Sequence, residues 1–186
     1  MTKKISDQSI EALHNKQIIL YPTDTVWGLG CDATDIDAVD KIFKLKNRVE
    51  SKSLVVLVSS IEMLGFYVDK VPQKAIDIIA STKQPTTIIY NNPKGLAANA
   101  IATDNTIAIR IPSHHYCLDL INKFGKPIIS TSANISGEPT PKSFSEISQP
   151  ILEGVDYVVN LEQEKITNKS STILKLVGDD IEVIRA

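Results

Sequence analysis

The chain has 186 residues, 42% apolar and 23% charged, with 20 basic and 22 acidic side chains for a net charge of −2. That length fits one domain, or at most two small ones, and a core of this size buries roughly 70% of the extended chain's surface without staples. A near-neutral total and the absence of any apolar run near the ~20 residues of a membrane span argue against a broad nucleic-acid-binding face and against a membrane protein.

Periodicity predicts alternating helices and strands. A helix is expected over 6–15, then a buried strand at 18–21 that stops at Pro22, and a second strand at 27–32. Asp35 is expected to cap a helix whose apolar face carries Ala38, Val39, Ile42, Phe43 and Leu45. A central strand over 54–58 precedes helices at 61–67 and 72–81, the second with Pro72 in its first turn. Strands at 86–90 and 106–111 flank a long loop. Ser113 is the expected cap of a helix that runs to Lys123 and ends at Gly125. A short strand at 127–130 enters a polar loop over 131–142, followed by a helical stretch at 143–152. Strands at 156–159, 171–176 and 181–184 complete a single domain spanning 1–186. Helices interleaved with hairpin-like neighbours predict an α/β chain, formally α+β, with a mixed sheet.

Several motifs fail on context. Gly28-Leu29-Gly30-Cys31-Asp32-Ala33 fits the dinucleotide fingerprint in letters, but its glycines read as strand and the next helix opens near Asp35. His14, His114 and His115 lack further ligands at metal spacing. Cys31 and Cys117 are isolated, which points to a reducing cytoplasm and makes the N-x-S matches at Asn134 and Asn168 irrelevant as glycosylation sites. The polar start, Met1 to Lys4 followed by Ser6-Asp7-Gln8, has no signal-peptide core.

Four segments carry chemistry. Residues 41–52 hold Lys41, Lys44, Lys46, Arg48 and Lys52 against Glu50, a net +4 in a chain otherwise at −6. The chain has only three arginines, and a guanidinium at Arg48, just past a helix, can fork onto a phosphate or carboxylate. Tyr21-Pro22-Thr23-Asp24-Thr25 and Ser130-Thr131-Ser132-Ala133-Asn134-Ile135-Ser136-Gly137 each follow a buried strand and are rich in hydroxyl or amide groups. In Thr106-Ile107-Ala108-Ile109-Arg110, alternation puts Thr106, Ala108 and Arg110 on one face, where the arginine suits carboxylate capture. Together they describe a concave surface for a polar anion such as a nucleotide or an amino acid.

These segments resemble the YrdC/Sua5 family, the threonylcarbamoyl-AMP synthases. The resemblance rests on residues 21–30 (Tyr21-Pro22-Thr23-Asp24-Thr25-Val26-Trp27-Gly28-Leu29-Gly30), Lys46-Asn47-Arg48, Arg110-Ile111-Pro112 and residues 131–137, and runs from Ser6 to Leu176. It implies a YrdC/RibB-like twisted mixed sheet with helices on both faces, a central positively charged cavity and no C-terminal Sua5 domain. The implied reaction makes threonylcarbamoyl-AMP and pyrophosphate from L-threonine, bicarbonate and ATP with Mg2+, a nucleotidyltransferase step toward modification of tRNA adenosine 37. The tRNA would be met directly or through partner modification proteins, with the double-stranded RNA binding ascribed to the family; no membrane is involved, and the oligomeric state is left open. The resemblance assigns Lys46 and Arg48 to the triphosphate and to catalysis. Lys52, Thr106, Ser132, Asn134 and Thr140 fall near ATP, and Thr25, Arg110, Ser130 and Thr172 near threonine. It assigns no protein metal ligand. The chain departs from the family at Val49, Lys52, Ser53-Leu54, Leu57 and Gln84-Pro85-Thr86-Thr87. The alternatives are an RNA-binding module and a YciO-like paralogue with another nucleotide or carbamoyl substrate.

Overall fold

The computed structural model describes residues 2–48, 54–167, 169–178 and 180–186. Helix α1 (Thr2–His14) leads into β1 (Ile19–Tyr21) and β2 (Gly28–Gly30), then α2 (Ile36–Leu45) and β3 (Val55–Leu57). Helices α3 (Ile61–Tyr67) and α4 (Gln73–Ser81) precede β4 (Thr86–Asn91) and β5 (Thr106–Arg110). Helix α5 (His115–Phe124), β6 (Ile128–Ser132), α6 (Gln149–Gly154), β7 (Tyr157–Val158), β8 (Thr172–Val177) and β9 (Asp180–Arg185) follow.

Among the described residues, nine strands form one sheet in the order β7-β1-β2-β6-β3-β5-β4-β8-β9. It is mixed: β1/β7, β3/β5 and β4/β8 run parallel, and the other neighbours antiparallel. Because successive strand residues face opposite sides, each strand serves two masters. Leu29, Val56, Ile88, Ile107, Ile109, Ile129 and Leu174 pack with Val39, Ile42 and Phe43 of α2, Leu64 of α3 and Ala75 of α4. On the other face Ile19, Tyr21, Leu57 and Ile128 pack under α1 and α5 through Leu13, Tyr116, Leu120, Ile121 and Phe124.

Local chemistry fixes the termini of the elements. The Asp35 carboxylate accepts from the backbone N–H of Asp37 and Ala38, both at 3.0 Å, and so caps α2; Lys16 Nζ, 2.8 Å away, holds the carboxylate and lowers its pKa. Gly125 ends α5 with a left-handed φ of 74°. Ser113 does not cap α5, because its N–H and Oγ both turn to Asp24 Oδ2 at 3.1 and 3.4 Å. Pro72 stands at the N-cap of α4 rather than within its first turn. The helical stretch expected at 143–152 divides into a 3-10 turn, Phe144–Glu146, and α6. Pro150 lacks an N–H and fits only a helix's first turn, so the helix restarts just before it.

Gly30 is required by packing. A Cβ there would lie 2.6 Å from Tyr21 Cε1 and 2.9 Å from the Ile129 carbonyl. The ring that occupies that space belongs to a fully buried tyrosine whose hydroxyl donates 3.2 Å to Ile129 O. Gly30→Ala is expected to destabilise by about 1–3 kcal/mol through overpacking, and Asp35→Ala by about 1 kcal/mol through loss of the cap. Each kcal/mol lowers the melting temperature by roughly 2–4 °C in a domain of this size, read by thermal unfolding.

Candidate active site

The half of the sheet that α1 and α5 leave uncovered floors a cavity of about 540 Å³. Its floor is set by register. Ser130, Val55, Ala108 and Ile89 stand in one row across four strands, and Arg110, Thr87 and Ile173 in the next. Short side chains in the first row, with Gly28 beside them, make the depression. Hydroxyls from Thr25, Thr87, Ser130, Thr131, Ser132, Thr140, Ser170 and Ser171 line it. So do five cations, Arg48, Arg110, Lys142, Lys169 and Arg185, with no carboxylate among the lining residues. All three arginines of the chain therefore meet at one cavity.

Arg110, 5% exposed, reaches in from the end of β5. Its Nη1 donates 3.3 Å to Thr25 Oγ1, and Nη2 lies 3.4 Å from Asp24 Oδ1 behind the cavity wall. Asp24 is in turn held by Ser113, while Nε of Arg110 has no hydrogen-bond partner among the described residues. The loop after β1 thus orients the guanidinium at the cavity wall. Arg185 donates through Nε and Nη2 to the Ser171 carbonyl, at 3.2 and 2.7 Å, which ties β9 to the cavity end of β8. Thr87 Oγ1 donates 2.9 Å to Ser171 Oγ.

Lys46 does different work. It is the C-cap of α2 and 2% exposed, and its ammonium donates to the backbone carbonyls of Ser132 and Asn134, the latter at 2.6 Å. Its own carbonyl accepts from Ser136 N–H at 2.8 Å. Burial, with Arg48 beside it, lowers its pKa to about 8, while the two carbonyls favour the charged form. Burial also lowers the Arg48 pKa. Lys46, Arg48, Ser132, Asn134 and Gly137 surround a second hollow of about 250 Å³ that shares Arg48 and Ser132 with the larger cavity.

The Sua5_yciO_yrdC family model, described as telomere recombination, matches residues 11–186. The chain belongs to this family. A Sua5/YciO/YrdC relative from Pseudoalteromonas translucida, named threonylcarbamoyl-AMP synthase, is 36% identical over 168 residues, covering 84% of this chain and 88% of its own. The structure of P. abyssi Sua5 complexed with L-threonine superposes with a TM-score of 0.90 at 26% identity; it covers all of this chain, which spans 54% of that protein. The E. coli YciO structure, at 24% identity and a TM-score of 0.85, covers all of this chain and 89% of its own and shares the fold.

Of the residues expected to serve the site in this Sua5/YciO/YrdC chain, Thr25, Arg48, Arg110, Ser130, Ser132 and Thr140 line the large cavity. Lys46 and Asn134 line the adjoining hollow, where the Asn134 amide donates to the carbonyls of Ile135 and Glu138 at 2.9 and 2.8 Å. Thr106 shares the floor's face but stands two residues before Ala108, outside the lining, and its hydroxyl donates 2.6 Å to Asp104. Thr172 is also outside: strand alternation gives that role to its neighbours Ser171 and Ile173. Lys52 lies outside the described residues, as do Val49 and Ser53. Lys142, Lys169, Ser171 and Arg185 were not expected. The scarcity of arginine was the one signal that could have marked Arg185.

Lys46→Met leaves two carbonyls without their charged donor and is expected to cost about 1.5–3 kcal/mol at neutral pH, by thermal or denaturant unfolding. Its folded pKa of about 8 lies below its ordinary 10.5, so the unfolded chain binds more protons between these values. Stability of the wild type relative to Lys46→Met therefore rises as pH rises through that window, and the gap in melting temperature should widen from pH 8 to pH 10.

Proposed function

We propose that the protein is an L-threonylcarbamoyladenylate synthase. It joins L-threonine, bicarbonate and ATP into threonylcarbamoyl-AMP and pyrophosphate and supplies the threonylcarbamoyl group for tRNA. The observation that carries this reading is a hydroxyl-rich cavity lined by five cations and no carboxylate, in a chain whose relatives bear that name. A volume of about 540 Å³ suits small polar substrates. The arrangement favours this over an RNA-binding module, since the lining cations converge on a concavity instead of spreading over an outer face.

In this reading the threonine carboxylate pairs with the Arg110 guanidinium, with Thr25 and Ser130 beside it. Arg48 and the 130–140 hydroxyls hold the phosphates, and Lys142, Lys169 and Arg185 add positive charge to the same chamber. The threonine amine attacks the carbon of CO2, released from bicarbonate, to give a carbamate. A carbamate oxygen then attacks the α-phosphorus, and the bond to the bridging oxygen breaks as pyrophosphate departs. No side chain acts as a nucleophile. Positioning and cationic stabilisation of phosphoryl charge supply the catalysis. Lys46 acts one step back by holding the loop that presents Ser132. Among the described residues no carboxylate lines the cavity and no cluster of three metal-ligating side chains occurs, so Mg2+ would come with the ATP phosphates. The same residues also suit a paralogue with another amino acid.

Pyrophosphate release that requires threonine is the test. Arg48→Ala is expected to abolish it while leaving the melting temperature within a few degrees. Arg110→Ala should raise KM for threonine by about 10–100-fold, the loss of a charge-assisted hydrogen bond of about 1.5–3 kcal/mol. Release independent of threonine, or restored equally by other amino acids, overturns the substrate assignment.

A further inference from the structure

Three separate loops bound the cavity: 22–27 after β1, 133–142 after β6, and 159–171 between β7 and β8. The first carries Thr25, the second Thr140 and Lys142, and the third Lys169, Ser170 and Ser171. Their described residues lie in no helix or strand; the Ala133 N–H to the Trp27 carbonyl, at 3.1 Å, ties the first two at their roots beside β2 and β6. One residue touches all three. Thr167 Oγ1 donates 2.6 Å to the carbonyl of Thr25, and its N–H donates 2.8 Å to the carbonyl of Lys142. Thr25 then meets Arg110 through its hydroxyl, so Thr167 stands one residue removed from the guanidinium.

We infer that Thr167 is a positioning residue for the threonine end of the cavity. Its hydroxyl fixes the peptide of Thr25, and with it the angle at which Oγ1 of Thr25 is presented beside Arg110. Its N–H fixes the 133–142 loop across the chamber from the same point. The hydroxyl contact is short and between neutral groups, and the carbonyl of Thr25 has no alternative donor in the hydrogen bonds of the described residues. The phosphate side is held by Arg48, by the Lys46 clamp and by the Thr167 N–H, none of which needs the Thr167 hydroxyl. Loss of the Thr167 hydroxyl should therefore act on threonine and not on ATP.

This inference rests on the proposed synthase reaction, and its test separates the two. Thr167→Val keeps the shape and the backbone N–H but removes the hydroxyl, and Thr167→Ser restores it. In threonine-dependent pyrophosphate release, Thr167→Val should raise KM for threonine about three- to tenfold, the worth of one hydrogen bond, with KM for ATP within twofold. Thr167→Ser should return KM to the wild-type value. An unchanged KM for threonine, an equal rise for ATP, or no rescue by serine overturns the inference. Tryptic cleavage after Lys165 and Lys169 reads the same tie without catalysis: it should quicken in Thr167→Val and recover in Thr167→Ser, and an equal rate in all three overturns the tie. A wild type that releases no pyrophosphate with threonine sinks the reaction, while the cleavage rates still decide the tie.

Discussion

Lys46 closes α2, and from there its ammonium reaches the Ser132 and Asn134 carbonyls while its own carbonyl takes the Ser136 N–H. A buried cation is costly unless its donors are satisfied, and here the acceptors are main-chain groups of a loop that has no ladder of its own. The exchange fixes the loop after β6 against the end of α2. Arg48, two residues beyond the lysine, and Ser132 thereby face the same space. Replace the ammonium by a methyl group and the loop loses its reference point. The K-x-R spacing therefore sets one cation into the loop and the next at the cavity wall.

Among the described residues the cavity is lined by cations and by no acid. Ion pairs elsewhere lie on the outside, such as Lys16 with Asp35 and Asp37, Lys44 with Asp40, and Lys126 with Asp32. Beside the chamber, Asp24 Oδ1 lies 3.4 Å from Arg110 Nη2 and is not among the lining residues, so it aims the guanidinium without occupying the space in front. Like charges gathered around one concavity favour the arrival of an anion, because the bound anion relieves their repulsion.

Much of this was legible in the sequence where a residue's environment is decided locally. Helix α3 matches its expected bounds, Asp35 caps α2, Gly125 ends α5, and alternation on β5 put Ala108 and Arg110 on one face. Failures came where a distant partner decided. Ser113 looks like a cap until Asp24, 89 residues away, claims both its donors. Lys46, assigned by resemblance to the triphosphate, turns its ammonium to the Ser132 and Asn134 carbonyls, and only the loop after β6 shows why it is buried. Thr172 stands outside the lining, between Ser171 and Ile173, which line the cavity. Lys142, Lys169 and Thr167 lie in segments without periodicity, where sequence offers no rule for which way a side chain points.

Strand β9 is an edge strand, paired on one side to β8, and Val183 and Ile184 remain exposed on it. Strands so placed open locally more readily than those at a sheet's centre. Yet β9 carries Arg185, the arginine that grips the Ser171 carbonyl and lines the chamber. An anion that engages this guanidinium binds only the state in which β9 is docked, so its binding energy is shared with the closing of that strand. Amide exchange along β9, at the rim of the molecule, becomes a gauge of whether the chamber at its centre is filled.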